Sequence, residues 1–273
     1  LDVLTYLDRI NYRGSLEPTH ETLRALHIAH LFSVPFENLS IHIKEPIVLN
    51  DESLYKKIVE KRRGGFCYEL NGLFCWLLRS LGFDVKMLSA GVMNAEGKFG
   101  PDFDHLTLLV TLDERYLADV GFGDSFLEPL LFDSREAQMS PDGKFYRIIE
   151  DEDALIMQVQ NDGWKSQYRF TLTPYEYADY EEMCLWQQTS PDSHFVKNRI
   201  CSLPTKDGRV TLSGNRFIKT VHGKREEKIL ESEEEVSNLL KEVFGIELNQ
   251  RRLDSGVQST DFSRAFITNA KPD

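Results

Sequence analysis

Two adjacent glycines running straight into an apolar helix constrain this chain more than any other stretch. They lie in Arg62-Arg63-Gly64-Gly65-Phe66-Cys67-Tyr68-Glu69-Leu70-Asn71-Gly72. The glycines predict a tight turn. Leu70, Leu73, Phe74, Leu77, Leu78 and Leu81 then recur at helical spacing until Gly82 supplies a stop. Cys67 is thereby fixed in the first turn of a largely buried helix. The positive end of a helix favours thiolate over thiol, and thiolate is the reactive form of cysteine. Free cysteines are more often small core residues, and Cys75, deeper in the same helix, reads that way. Cys67 needs a base before it can be a nucleophile.

Composition narrows the partners. The 273 residues include 17 Phe, 10 Tyr and 3 Trp and are 41% hydrophobic, enough for a real core in one large domain or two to three small ones. A net charge of −12 argues against nucleic acid or an anionic membrane as the main partner. An anionic ligand would need a local basic patch or backbone N–H groups. The four cysteines, at 67, 75, 184 and 201, form no CxxC pair, so neither a metal site nor a redox dithiol is expected. Such sparse use fits a cytoplasmic protein. Leu1-Asp2-Val3-Leu4-Thr5 carries an early acid and no basic stretch, which speaks against a signal peptide. No run of about 18 apolar residues predicts a membrane span.

Three segments follow one another, at 1–83, 84–190 and 191–273. The first reads as a helical bundle: an amphipathic segment over 2–10, a helix over 22–32 and a third capped by Asn50 or Asp51. Between them Val34-Pro35-Phe36-Glu37-Asn38-Leu39 reads as an irregular link. The second segment is strand-like at 85–92, 104–112, 115–120, 126–132, 145–150, 154–160 and 164–172, separated by turn residues, which predicts a small antiparallel barrel. Thr173-Pro174-Tyr175-Glu176 reads as a capping box opening a helix to about Gln187. The third segment has strands at 210–212, 215–221 and 224–230, joined by Ser213-Gly214 and His222-Gly223, then a helix capped by Ser232 and stopped by Gly245.

The candidate base is His105 and its candidate orienter Asp119, in Tyr116-Leu117-Ala118-Asp119-Val120-Gly121-Phe122-Gly123. A hairpin loop centred on Leu112 sets the two directly opposite, with Cβ atoms about 4.5–5.5 Å apart. A loop centred on Glu114 would pair Leu109 with Asp119 instead. The first is preferred because an unpartnered acid in an apolar strand costs on the order of several kcal/mol. Cysteine, imidazole and carboxylate in that order of contact make a thiolate–imidazolium pair with an oriented ring.

Arg63-Gly64-Gly65-Phe66-Cys67-Tyr68-Glu69-x-Asn71-Gly72, with 34–39 upstream and His105…Asp119-Val120-Gly121-Phe122-Gly123 downstream, resembles the arylamine N-acetyltransferases. The resemblance implies an α+β, transglutaminase/papain-like cysteine fold: an N-terminal helical bundle carrying Cys67, a central antiparallel β-barrel carrying His105 and Asp119, and a C-terminal α/β lid. It implies transfer of an acetyl group from acetyl-CoA through Cys67 to an arylamine, arylhydroxylamine or hydrazine, by a ping-pong mechanism. Glu69 and Asn71, within one turn of Cys67, are expected to support it. The acceptor pocket would be lined by Phe36, Tyr68, Val92, Phe122 and Phe195. Gly121, Phe122 and Gly123 would meet the CoA pyrophosphate, with His222 helping, and Arg216, Lys219, Lys224 and Arg225 complete the basic cluster seen in sequence.

Two departures stand out. Asp104 precedes His105 where the family usually carries a small hydroxyl residue, and the interval from His105 to Asp119 is one residue shorter than expected. Three rival readings share these residues: a cysteine hydrolase with the same triad, a catalytically silent binding protein, and an amide synthase of the same family. The physiological amine, the oligomeric state and the role of the tail after Gln250 are not set by the sequence.

Overall fold

A computed structural model describes residues 1–248; the tail after Gln250 lies outside them. Side-chain caps start most of the helices. In α1 (Val3–Arg9) the Asp2 carboxylate accepts the Thr5 N–H, and in α2 (His20–Ser33) Thr19 caps Thr22. Strand β1 (Phe36–Glu37) and the single turn α3 (Leu39–His42) replace the expected irregular link. Asn50 caps α4 (Asp51–Tyr55), which runs on into a π-helical turn, Lys56–Glu60. Helix α5 (Cys67–Ser80) follows, stopped at Gly82 as the sequence predicts.

The glycine pair does a different job from the expected one. The left-handed residue of the turn is Arg62, at φ 52°. Gly64 is needed for want of room, since a Cβ there would lie 1.9 Å from the Pro35 carbonyl oxygen. The turn is pressed against β1, which it joins through a parallel Phe36–Gly65 bridge.

The eight-stranded antiparallel sheet consists of β2 (Asp84–Val92), β3 (His105–Thr111), β4 (Arg115–Ala118), β5 (Leu130–Leu131), β6 (Gln138–Met139), β7 (Phe145–Asp151), β8 (Ala154–Gln160) and β9 (Trp164–Tyr175). Its order, β5-β4-β3-β2-β9-β8-β7-β6, brings the two short strands to the edges. There the Gln138 amide bonds both backbone groups of Leu131, at 2.7 and 3.0 Å, and nearly closes the barrel. Strand β3 is buried on both faces. Leu106, Leu108 and Val110 pack with the helical core, whereas Leu109 belongs to the barrel core with Phe132, Tyr168 and Phe170.

Three sequence expectations fail here. The strand over 126–132 shrinks to β5, because the chain after Asp119 is a loop and Phe126 is buried by tertiary packing alone. The helix expected from Thr173 starts later, as α6 (Tyr177–Thr189), with Asp179 accepting the Glu176 N–H. Pro174 instead extends β9 opposite Leu88; a fixed φ suits an extended residue as well as a helix start. The β3–β4 loop is centred on Asp113, since Thr111 faces Arg115, so neither register weighed for His105 and Asp119 occurs.

The C-terminal segment holds α7 (His194–Lys197) and strands β10 (Ile200–Thr205), β11 (Gly208–Ser213), β12 (Arg216–Val221) and β13 (Lys224–Ile229). The sequence reading missed β10. It also put the β11–β12 turn one residue early; the turn is Gly214-Asn215. Helix α8 (Glu233–Phe244) packs Val236, Leu240 and Phe244 onto the sheet, capped by Ser232 and ended by left-handed Gly245. The sheet order β1-β10-β11-β12-β13 takes its first strand from the helical region.

Replacing Gln138 by alanine removes both bonds at the barrel seam. A loss of about 1–3 kcal/mol is expected, read as a lower urea midpoint with an unchanged m-value.

Candidate active site

Cys67 is the first residue of α5 and 4% exposed. Its thiol lies near the Leu106 backbone N–H, one residue from His105 at the start of β3. Burial pushes the thiol well up, the Leu106 N–H opposes that, and the Asp104 charge adds to the rise. The helix start alone therefore does not yield a standing thiolate. A thiolate buried this deeply is stable only beside a cation, so the sulfur ionises as an imidazole takes its proton.

His105 Nε2 lies 2.7 Å from Asp119 Oδ2, both side chains buried. The pair forms diagonally. The register places Thr107 opposite Asp119, and His105, two residues away, shares its face. Asp119 is held from several sides. Its Oδ1 accepts Asn71 Nδ2 at 2.8 Å and the Gly121 N–H at 3.0 Å. Burial raises its carboxyl, but the His105 charge and the bonds from His105, Asn71 and Gly121 prevail and hold it below the usual carboxylate range.

Asn71 ties the helix to the barrel. Its Nδ2 also donates to the Leu106 carbonyl (2.6 Å), and its Oδ1 accepts the Val120 N–H (2.8 Å). Gly121 allows this closeness, because a Cβ there would sit 2.8 Å from Cys67 Cα and 2.7 Å from Asn71 Nδ2. His27 has a role the sequence did not suggest. Its Nε2 accepts the Asp119 N–H (3.1 Å), so Nδ1 donates to the Leu127 carbonyl (3.0 Å). Burial lowers the His27 pKa to about 4 and keeps the ring neutral. Nothing local in its helix context signals this, since both partners lie about a hundred residues away.

Beneath Cys67 lies a balanced set of buried charges. Arg63 meets Glu37 at 2.8 Å, and Lys57 meets Glu69 at 2.7 Å and Glu37 at 3.8 Å. Glu69 Oε2 also accepts the Phe66 N–H (3.2 Å), standing in for the missing Ser or Thr cap of α5. Burial raises the Glu37 carboxyl, but the Arg63 and Lys57 charges outweigh it and leave it lowered; Glu69 stays raised by burial despite Lys57.

The expected acceptor residues fall in two neighbouring groups. Phe195 stands 6.2 Å from Phe36 and 5.5 Å from Phe66, and Phe66 meets Tyr68 edge-on at 5.0 Å. Phe122 instead meets His105 (5.1 Å) and Tyr168 (5.2 Å). Val92 reaches the site through Asp104, whose carboxylate accepts its N–H at 3.3 Å. Gly123 lies against the Phe36 ring, with a built Cβ 3.5 Å away.

A cleft of about 690 Å³ begins at Asp124, two residues from Phe122, and is lined by Lys144, Lys206, Arg209, Thr220, His222 and Gly223 among others. His222 thus lies here and away from Cys67. Of the expected basic cluster, Arg216 and Arg225 both pair with Glu227, and neither they nor Lys219 and Lys224 line this cleft. Lys144, Lys206 and Arg209 line it instead, with Arg209 and Lys144 each bonded to Asp124, at 3.3 and 2.9 Å. Sequence reasoning missed the last two because one lies in the turn before β7 and the other on β11.

A buried cysteine at a helix start, an oriented histidine on a barrel strand and an adjoining cleft define a cysteine-dependent transferase or hydrolase class. Comparisons specify it. A family profile described as N-acetyltransferase matches residues 19–253. The chain is 36% identical to a chicken arylamine N-acetyltransferase, a pineal gland isozyme, over 92% of this chain and 96% of that one. It is 35% identical to the Escherichia coli arylamine N-acetyltransferase, over 88% and 87%. The Salmonella typhimurium arylamine N-acetyltransferase structure superposes with a TM-score of 0.88 at 31% identity, covering 93% and 97%. The Mycobacterium marinum arylamine N-acetyltransferase in complex with CoA gives 0.86 at 32%, covering 93% and 98%. The chain belongs to the arylamine N-acetyltransferase family and is an acyltransferase.

Two outcomes follow from the site. Asn71→Ala should cost about 2–4 kcal/mol, since it strands the Val120 N–H and the Leu106 carbonyl in the interior and leaves Asp119 Oδ1 with the Gly121 N–H alone; chemical denaturation measures it. His27 contributes stability that is full above pH 6.5 and is lost as pH falls toward about 4, because the unfolded chain binds the proton first. That loss is roughly 3 kcal/mol. His27→Gln should flatten this acid limb in stability measured against pH.

Proposed function

We propose that the protein moves an acetyl group from acetyl-CoA to an arylamine, arylhydroxylamine or hydrazine by a ping-pong mechanism through acetyl-Cys67. The observation that carries this is the packing of buried Cys67, at the start of α5, against Gly121 of the loop whose Asp119 orients His105. With Nε2 on Asp119, His105 presents Nδ1 to the thiol. Cys67 Sγ gives its proton to that nitrogen and attacks the thioester carbonyl. The C–S bond to CoA breaks, and the departing thiolate takes the proton from His105. The amine nitrogen then attacks acetyl-Cys67, gives a proton to His105, and the cysteine sulfur leaves to regain it. N–H groups at the start of α5 stabilise the oxyanion.

The three segments, 1–83, 84–190 and 191–273, divide the labour. The bundle supplies Cys67, the barrel supplies His105 and Asp119, and the C-terminal sheet forms a wall of the donor cleft. CoA enters along the 690 Å³ cleft, its phosphates near Lys144, Arg209 and His222 and its thioester passing Gly121, Phe122 and Gly123. Phe36, Tyr68, Val92, Phe122 and Phe195 receive the flat ring of the acceptor.

Intact-protein mass spectrometry after brief exposure to acetyl-CoA should give one added acetyl group, absent in Cys67→Ala and discharged by an aromatic amine. A folded protein that takes up no acetyl overturns the proposal. His105→Gln should slow Cys67 alkylation at neutral pH at least tenfold and move its pH midpoint upward, because the buried thiolate loses its cation; iodoacetamide labelling across pH reads both.

A further inference from the structure

Asp104 immediately precedes His105, and among the carboxylates it pushes hardest on the Cys67 thiol, ahead of Asp119. Its own bonds do not call for a charge. Oδ1 accepts Gln187 Nε2 at 2.9 Å and Oδ2 accepts the Val92 N–H at 3.3 Å, both neutral donors that leave the charge unpaired. Among the described residues it makes no ion pair with a lysine or arginine. A half-buried carboxylate without a cation is an expensive way to fix a loop.

The group is also held firmly. The Tyr68 hydroxyl donates to the Phe103 carbonyl at 2.6 Å and to the Asp104 carbonyl at 3.3 Å. Gly100 leaves so little room that a Cβ there would meet Asp104 Oδ2 at 2.5 Å. Its neighbours Tyr68 and Val92 are two of the residues given above to the acceptor pocket. The charge is therefore fixed against Val92, on the side of that pocket.

We propose that Asp104 is a charge filter on the acceptor: it admits neutral and cationic aromatic amines and hydrazines and disfavours those whose ring carries an anionic group. This rests on the acceptor pocket assigned above. Like charges held several ångströms apart at a partly buried site repel strongly enough to change selectivity by about tenfold. The filter acts by differential binding. It leaves the chemistry at the amine nitrogen untouched.

The test compares 4-aminobenzamide with 4-aminobenzoate, which share a ring and a shape and differ in charge. Protein loaded with acetyl-CoA is mixed with each amine, and the discharge rate constant is followed by intact mass for the wild type, Asp104→Asn and Asp104→Thr. The benzoate-to-benzamide ratio should rise about tenfold in both variants. Taking the ratio cancels any change in cysteine reactivity, which a purely structural role for Asp104 would move for both amines alike. An unchanged ratio in variants that still load and discharge acetyl overturns the filter. Failure of the wild type to load acetyl is a different result: it removes the transferase reading and the filter with it.

Discussion

The four buried charges under the nucleophile, Glu37 with Arg63 and Lys57 with Glu69, are the interaction on which the rest of the structure depends. They come from four elements: β1, the glycine turn, the π-helical turn and α5. Each is buried or nearly so, and removing one partner of such a set typically costs about 3–5 kcal/mol by stranding another charge. A regular α-helical turn at 56–60 would rotate Lys57 relative to Glu69, so the wider turn belongs to the same arrangement. Glu69 then fixes the Phe66 N–H, and Cys67 is the next residue.

A second junction joins helix to barrel. Asn71 reaches across the interface with both ends of its amide engaged, touching the strand that carries His105 and the loop that carries Asp119. Cys67 and His105 thus sit on different layers but share one bracing side chain. The placement of Cys67 relative to His105 is a property of their packing and of neither layer alone.

Much of this was legible in sequence, for physical reasons that differ by residue. The α5 stripe and its stop are local patterns, and so is the Ser232 cap. The pairing of His105 with Asp119 survives a mistaken register, because moving the loop centre by one residue moves the partner by two and keeps the same face. What failed depends on distant partners. Phe36 and Glu37 carry no strand signal of their own and become β1 only because β10 lies beside them. Arg216 and Arg225 looked like a ligand patch, but Glu227, on the same strand as Arg225 and opposite the one that carries Arg216, pairs with both. Of the positive side chains that line the cleft, Lys144 and Arg209 meet through Asp124.

The pairing of β1 with β10 has a bearing on how the molecule comes into being. Phe36 finds its partner in Ser202, about 165 residues later, and the glycine turn before Cys67 leans on β1 through Phe36 and Gly65. A ribosome needs roughly 10–30 s to deliver that stretch at ordinary synthesis rates. Until then the early helices can collapse, but the segment that seats the reactive sulfur has no finished sheet to close against. Seating of Cys67 is thereby deferred until β10 has been made.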